Sequence, residues 1–243
     1  MKALYVAWQD PETRRWHTVG RLSRNADGYR FAYTQGANAS PRFAYLGRMR
    51  DKGRVYYSDN LFPLFTNRLL DSSRPEYPDY LDWMGVDGAA DKMELLARSG
   101  GQRGTDKLCV YPEVEPDEQG EMQLYFFSHG LRYLSNVEQA AVGRLQPGEV
   151  LRLTPDDDNA HDRFALRLET AEPMRVGYCP RYLNQDLRQI QQQTPIRLTV
   201  EKINPDAPLQ FHLLCKAVFT LPKGFGLYAT DEHRLMVQEA MAA

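Results

Sequence analysis

The sequence predicts a mixed but mainly β protein made of two modules, each with a few short helices. Most of the 243 residues fall into short runs rich in β-branched and aromatic side chains, and clusters of Gly, Pro, Asn and Asp separate these runs. Helical periodicity is confined to a few segments. The polar segment 114–120 contains three carboxylates, one Pro and one Gly. Because such a segment has little to bury, we predict domains at residues 1–113 and 121–222, a linker at 114–120 and a tail or helix at 223–243.

The first module is predicted to be a β-meander followed by helices. Alternating apolar and polar residues between turn clusters predict five short strands, at residues 3–8, 16–22, 29–33, 43–46 and 54–57. Asp59 is the predicted N-cap of a helix that runs to Leu70, since its apolar residues recur with helical spacing. A short amphipathic helix is predicted over residues 91–98.

The second module is predicted to be a small β-barrel of the OB kind, because it holds many short strands and few helices. The predicted strands lie at residues 122–127, 149–154, 164–169, 196–203 and 209–219. Residues 136–145 are predicted to be a loop or short helix. Further helices are predicted at residues 181–193 and, at the terminus, 233–243.

Composition excludes a bulk polycation that coats nucleic acid, because the formal net charge is −2. Residues 1–113 carry 17 Lys and Arg against 14 Asp and Glu, whereas residues 121–221 carry 11 against 12. Nearly all cations of the second module are Arg. A binding site there is expected to use directed arginine contacts rather than a long positive groove.

The cysteines and the apolar runs predict a cytoplasmic protein. Cys109, Cys179 and Cys215 form neither a disulfide framework nor a metal-ligand spacing, which favours a reducing compartment. The apolar run near the start is too short for a signal peptide, and no stretch has the length of a membrane span. We predict no cofactor and no metal.

Three clusters in the second module combine a turn-forming residue with side chains suited to a nucleotide. They are Gly130-Leu131-Arg132-Tyr133, Asn159-Ala160-His161-Asp162 and Gly177-Tyr178-Cys179-Pro180-Arg181. An Arg can hold a phosphate through two hydrogen bonds, and an aromatic face can stack on a base. An ionised Asp only accepts hydrogen bonds, so it suits a sugar hydroxyl.

In this order, the three clusters resemble the HIRAN domain over about residues 121–220. This module occurs in fork-remodelling DNA translocases and, in bacteria, alone or fused to other parts. The resemblance implies an OB-like barrel that binds the 3′-hydroxyl end of single-stranded DNA. It implies phosphate and base contacts for one pair of residues, a hydroxyl acceptor, and further contacts to the terminal nucleotides. The implied DNA-binding residues are Arg132 and Tyr133 for the pair, Asp162 for the acceptor, and Asn159, His161, Tyr178 and Arg181.

Two departures from the family pattern lie in the second cluster. Asn159-Ala160 stands where Asn-Pro is more usual, and the preceding run Asp156–Asp158 is unusually acidic for a site that faces phosphate.

The first module resembles the N-terminal subdomain of HipA-type toxin kinases, through residues 19–23, 61–70 and 93–101. No kinase catalytic-loop or metal-binding motif follows, so phosphoryl transfer lacks its parts. We therefore predict that residues 1–113 dock a protein partner and bind no DNA. The whole chain is predicted to be a non-enzymatic binder of single-stranded DNA. The alternative is an antitoxin-like or regulatory protein that binds a HipA-type kinase or repressor.

Each candidate residue also has a structural interpretation. Tyr133 and Tyr178 could be core aromatics, Arg132 and His161 surface residues, and Asp162 the acceptor of a turn. Residues 100–104 are Gly-rich but lack the ending of a phosphate loop, so we predict a surface turn. The run Asp156–Asp158 with Asp162 could be a two-metal nuclease site, although its carboxylates come from one loop. Ser128 and His129 are adjacent on a strand and are expected to face opposite ways.

Overall fold

The structure is a computed structural model that describes residues 3–86, 88 and 91–237. The chain divides into two compact units. Unit 1 comprises Met1–Tyr77, Ala89–Glu113 and Tyr228–Ala243, and unit 2 comprises Pro78–Gly88 and Val114–Leu227. The segment 78–88 thus groups with the second half of the sequence, and the segment that follows Leu227 groups with the first half.

Unit 1 contains a five-stranded antiparallel sheet in the order β4-β3-β2-β1-β5. Strand β1, which lies between β2 and β5, is apolar on both faces and almost wholly buried, as expected for a strand covered on both sides. The first three predicted strands are confirmed. The predicted strand at residues 43–46 is instead a loop. The one predicted at residues 54–57 overlaps β4, and the sequence pattern did not predict β5. The strands are β1 Ala3–Gln9, β2 Trp16–Asn25, β3 Gly28–Tyr33, β4 Tyr56–Ser58 and β5 Leu108–Pro112.

The helices of unit 1 are shorter than the sequence predicts. In place of a helix over residues 59–70, only α1, Pro63–Thr66, forms. Just after it, the buried Arg68 guanidinium donates to the Gly101 carbonyl (2.8 Å) and to Asp106 (2.5 Å). These tertiary bonds outweigh the helical periodicity.

Two further helices follow α1 in the chain. α2 spans Tyr77–Trp83. α3 spans Lys92–Ser99, which confirms the second predicted helix. The Asp91 side chain caps it by accepting from the amides of Met93 and Glu94.

The chain after Leu227 packs on unit 1 without forming the predicted terminal helix over its described part. A 3₁₀ turn, Asp231–His233, is followed by a bridge between Leu235 and Thr34. The Glu232 carboxylate accepts from the Thr18 amide (3.1 Å), and the Met236 amide donates to the Tyr33 carbonyl (2.9 Å). The bridge and the Met236 bond hold residues 234–236 extended, which excludes a helix there. The rest of the predicted helix, residues 238–243, lies outside the described residues.

Unit 2 contains a six-stranded antiparallel sheet in the order β6-β11-β10-β7-β8-β9. The sheet curls so strongly that its two edges meet just beyond β6. There, the Ser128 hydroxyl donates to the Val176 carbonyl (2.8 Å), and His129 forms a β-bridge with Tyr178. The mainly β prediction is confirmed, but β9 was missed. The strands are β6 Glu121–Phe127, β7 Val150–Pro155, β8 Leu166–Glu169, β9 Arg175–Tyr178, β10 Arg197–Ile203 and β11 Leu213–Thr220.

Two helices flank the sheet of unit 2. α4, Asn136–Val142, begins with a capping box between the side chains and backbone of Ser135 and Glu138. α5, Arg181–Ile190, buries its apolar stripe of Leu183, Leu187 and Ile190. In the described part of the chain, no helix combines the length and the apolar character that crossing a bilayer requires.

Candidate nucleic-acid interface

The three clusters of the second module meet at Tyr178, the last residue of β9. Its backbone exchanges two 2.9 Å hydrogen bonds with His129, which precedes the first cluster. Its hydroxyl donates to the Asp156 carboxylate (2.9 Å), at the start of the loop that carries the second cluster. The third cluster contains Tyr178 itself. Motifs whose first residues are 18 to 47 positions apart in sequence are therefore linked through Tyr178.

A glycine lets the first cluster approach Tyr178 closely. Gly130 has φ = +78°, and a Cβ atom there would lie 3.2 Å from the Tyr178 ring. Gly130 directly precedes the 3₁₀ turn Leu131–Tyr133. The buried Leu131 side chain anchors this turn. Because the turn is fixed at both its start and its anchor, the side chains that follow Gly130 are held in place.

Arg132 and Tyr133 are the two side chains that this turn presents to solvent. The Tyr133 ring is 72% exposed, and the Arg132 guanidinium lies over it, 5.0 Å from its centre. Among the described residues, none forms a hydrogen bond or ion pair with the Arg132 guanidinium. The Arg132–Tyr133 pair is thus a cation and an aromatic face that the fold itself leaves unused.

An ion pair joins α4 to β9 beside Tyr178. The Arg175 guanidinium donates to both carboxylate oxygens of Glu138, at 2.9 and 3.1 Å, and to the Tyr178 hydroxyl at 3.2 Å. The Arg175 bonds, with those from Ser135, lower the pKa of Glu138 to about 2, so the pair stays charged at neutral pH. Sequence reasoning missed both partners. The capping-box spacing from Ser135 to Glu138 was a visible signal for one of them.

The loop between β7 and β8 is organised by Asn159. Its side-chain amide donates to Asp156 (3.0 Å), and its carbonyl oxygen accepts from the amides of His161 and Asp162 (3.0 and 3.1 Å). The Asn159 bond and the Tyr178 hydroxyl lower the pKa of the Asp156 carboxyl. Asn159 thus shapes the loop, and the exposed His161 side chain projects from it.

The Asp162 carboxylate is bound by the protein on both oxygens. Oδ1 accepts from the Phe164 amide (3.0 Å). Asp162 therefore stabilises a turn, as its structural interpretation from the sequence predicts. Oδ2 accepts from the Asn184 side chain (2.6 Å) and lies 3.5 Å from Nε of Arg181. Arg181 is the first residue of α5, and it also donates to the His161 carbonyl (3.0 Å). Sequence reasoning missed Asn184, which is buried at the centre of this cluster.

Three of the four carboxylates of the nuclease alternative are bound by the protein's own donors. Asp156 accepts from Tyr178 and Asn159, Asp157 pairs with Arg188, and Asp162 is bound as described above. In the described ranges, no group of three or more His, Cys, Asp and Glu side chains is placed to hold a metal ion. Within the acidic run, Asp156 and Asp157 serve as acceptors that fix the loop.

Ser128 and His129 do not form a catalytic pair. The buried Ser128 hydroxyl donates to a backbone carbonyl, and burial together with the nearby Arg181 cation lowers the pKa of His129 to about 4. His129 is therefore neutral at pH 7, and its role is to bridge the sheet edges.

The structure thus gives the predicted site residues two different roles. Arg132 and Tyr133 are exposed and available to a ligand. The others are bonded to one another around Tyr178 and the loop between β7 and β8, with the His161 ring and part of Arg181 facing outward. These bonded residues are Asn159, His161, Asp162, Tyr178 and Arg181.

Comparison with known proteins identifies the second half of the chain. Residues 122–220 match the family model of the HIRAN domain, which confirms the resemblance inferred from the three clusters. No curated protein is significantly similar to the chain. The match begins at residue 122, so the resemblance of residues 1–113 to the HipA subdomain, and their partner-docking role, stay predictions.

Two solved structures are similar to about two fifths of the chain. The crystal structure of the HIRAN domain of human HLTF is 20% identical, covers 42% of this chain and 80% of that one, and has a TM-score of 0.33. A crystal structure of a protein from Lactobacillus plantarum is 22% identical, covers 41% of this chain and 98% of that one, and has a TM-score of 0.31.

Proposed function

We propose, from the premise that residues 122–220 form a HIRAN domain, that this chain binds single-stranded DNA as a binding protein rather than an enzyme. The observation that carries the proposal is the Arg132–Tyr133 pair. It is the exposed, unbonded part of a site whose other predicted members are held by the fold. Arg132 is assigned to a backbone phosphate and Tyr133 to a base.

The physical chemistry of the pair favours a flexible single strand over a duplex. An aromatic face can stack only on a base that has left its own stack, and such contacts tolerate any base. The Arg cation lies beside the ring, where it can reach the phosphate of the stacked nucleotide. Because Gly130 and the Leu131 anchor fix the turn, little backbone entropy is lost on binding.

We further propose that the strand ends at Asp162, which accepts the terminal 3′-hydroxyl. Oδ1 of this carboxylate receives one bond from the protein, from the Phe164 amide. A carboxylate oxygen has two lone pairs, so Oδ1 can accept one more donor. A hydroxyl supplies that donor, whereas a phosphate would bring a second anion next to the carboxylate. The Arg181 cation at 3.5 Å reduces this repulsion without removing it.

The predicted result is a preference for strands that end in a 3′-hydroxyl. Wild-type protein should bind such a strand about 5- to 30-fold more tightly than the same strand with a 3′-phosphate, which corresponds to about 1–2 kcal/mol for an unmade bond to a charged group. Asp162→Asn should reduce the ratio to near one, since the amide does not repel phosphate. Fluorescence anisotropy with 5′-labelled oligonucleotides measures both affinities.

Asp158→Asn is the matched control for this experiment. It removes one carboxylate from the same loop, and the Asp158 side chain is exposed. This variant should keep the wild-type ratio. The ratio of two affinities is also insensitive to a fraction of unfolded protein. Equal binding of both strands by the wild type would refute end recognition, while DNA binding through Arg132 and Tyr133 could still hold.

A further inference from the structure

A second cationic and aromatic surface lies on unit 1, in the loop between β3 and β4. We call residues 43–56 the arginine loop. Residues 41–58 contain five Lys and Arg against one Asp, whereas the other positions of 1–113 contain 12 against 13. The whole positive excess of the first 113 residues is therefore concentrated in one short segment.

Two of the five cations are used by the fold. Arg42 pairs with Asp10 and Glu12, and the Lys52 ammonium donates to the carbonyls of Ala37 (2.8 Å) and Phe43 (3.1 Å). These bonds explain why the sequence has cations at those two positions. They leave Arg48, Arg50 and Arg54 to be explained.

These three arginines are exposed, and they form no hydrogen bond or ion pair with any residue that the structure describes. Two of them lie over tyrosine rings, Arg50 over Tyr45 at 5.6 Å and Arg54 over Tyr56 at 5.8 Å. Tyr45 is 44% exposed. The Arg50–Tyr45 pair repeats the arrangement of Arg132 over Tyr133 on unit 2, since both the tyrosine and the arginine are exposed.

The loop that carries these side chains is rigidly anchored. Leu46 and Met49 are buried, and the Tyr33 hydroxyl joins them by accepting from the Leu46 amide (2.6 Å) and donating to the Met49 carbonyl (2.5 Å). The Tyr56 hydroxyl likewise bonds the backbone amide and carbonyl of Asp51, at 2.7 and 2.9 Å. A loop held this way presents its arginines from a fixed backbone. Repulsion among cations in one short segment costs stability unless an anion compensates it.

We infer that the arginine loop is a second binding surface for single-stranded nucleic acid, separate from the HIRAN domain. Three cations that have no ion-pair partner in the described part of the chain suit the repeating charge of a phosphate backbone, and Tyr45 offers a ring on which a base can stack. An acidic protein segment would satisfy the cations but would leave the exposed tyrosine without a matching partner, so a nucleic acid fits better. This inference replaces the sequence-based expectation that residues 1–113 bind no DNA.

The direct test is photo-crosslinking of the full-length wild-type protein to strands that contain 4-thiothymidine or 4-thiouridine. Mass spectrometry should find crosslinked peptides from residues 43–56 in addition to peptides from the HIRAN domain. The deoxyribose and ribose strands together show whether the loop distinguishes DNA from RNA. Crosslinks confined to residues 122–220 with both strands would overturn the inference.

A charge-matched pair of triple variants gives the energetic test. Replacing Arg48, Arg50 and Arg54 with Ser should weaken binding of a 40-nucleotide strand about tenfold or more. It should also lower the slope of log affinity against log salt by about 2, since each lost phosphate contact on a single strand removes about 0.7. The control replaces three other exposed cations of unit 1, Arg74, Lys92 and Arg103, and should change affinity less than threefold. Equal losses in the two triples would mean that only net charge matters, and would overturn a specific surface.

Discussion

Arg132→Ala should weaken the binding of single-stranded DNA about 10- to 100-fold. The Arg132 guanidinium is exposed and has no carboxylate partner among the described residues, so its removal leaves no buried group unsatisfied. The loss is then that of a charge-assisted bond to phosphate, about 1.5–3 kcal/mol. The slope of log affinity against log salt should fall by about 0.7, the value for one phosphate contact on a single strand.

Arg144→Ala serves as the control for this variant. Arg144 is an exposed cation of the same unit, and its guanidinium donates to the Ala140 carbonyl at the end of α4. The control removes the same charge away from the turn, so affinity and salt slope should change little. Arg132 would be excluded from the site if its folded alanine variant bound DNA with wild-type affinity and slope.

Gly177→Ala should destabilise unit 2 by about 3–5 kcal/mol and abolish DNA binding with it. A Cβ atom at this position would lie 1.9 Å from the Ser128 hydroxyl and 2.8 Å from the His129 carbonyl. Gly177 also has φ = +120°, which a residue with a side chain rarely adopts. Backbone strain and overpacking each cost about 1–3 kcal/mol. The clash falls on the bonds that join the two edges of the curled sheet.

Alanine variants at two other glycines separate the effect of backbone strain from the effect of the steric clash at Gly177. Gly148→Ala introduces strain alone, since φ is +87° and nothing lies within 4 Å of its Cβ position, and should cost about 1–2 kcal/mol. Gly143→Ala introduces neither, because Gly143 has ordinary helical angles and its nearest neighbours lie at 3.8 Å. Urea denaturation measures all three. Equal losses for Gly177 and Gly148 would show that the sheet edges are not packed as described.

Local patterns were enough to predict the strands whose burial alternates and the helix capped by Asp91. They failed where a distant side chain decides the local structure. The helix predicted over residues 59–70 stops after one turn because the Arg68 guanidinium bonds Gly101 and Asp106. β9 was missed because it has four residues and takes its place from its partners across the sheet.

The candidate site, like the fold, was predictable in its local motifs but not in its long-range contacts. The three clusters could be found in the sequence because turn residues, cations and aromatics recur in a family order. Their convergence could not, because it depends on Tyr178 reaching Asp156, 22 positions away, and on Arg175 reaching Glu138, 37 positions away. No local pattern indicates that Asp156 is bound by Tyr178 and Asn159, or Asp157 by Arg188. These bonds give the two carboxylates a structural role in the loop, and the Arg188 cation offsets the charge of Asp157.

Mapping a short strand onto the protein by NMR tests the central claim most directly. Amide chemical shifts of the isotopically labelled full-length chain should be recorded during a titration with a six-nucleotide thymidine strand that ends in a 3′-hydroxyl. We expect the largest changes in the 130–134 turn, at Tyr178 and in the loop around Asp162, and their loss in the Arg132→Ala variant. Saturating changes elsewhere in unit 2 that leave the 130–134 turn unmoved would contradict the account.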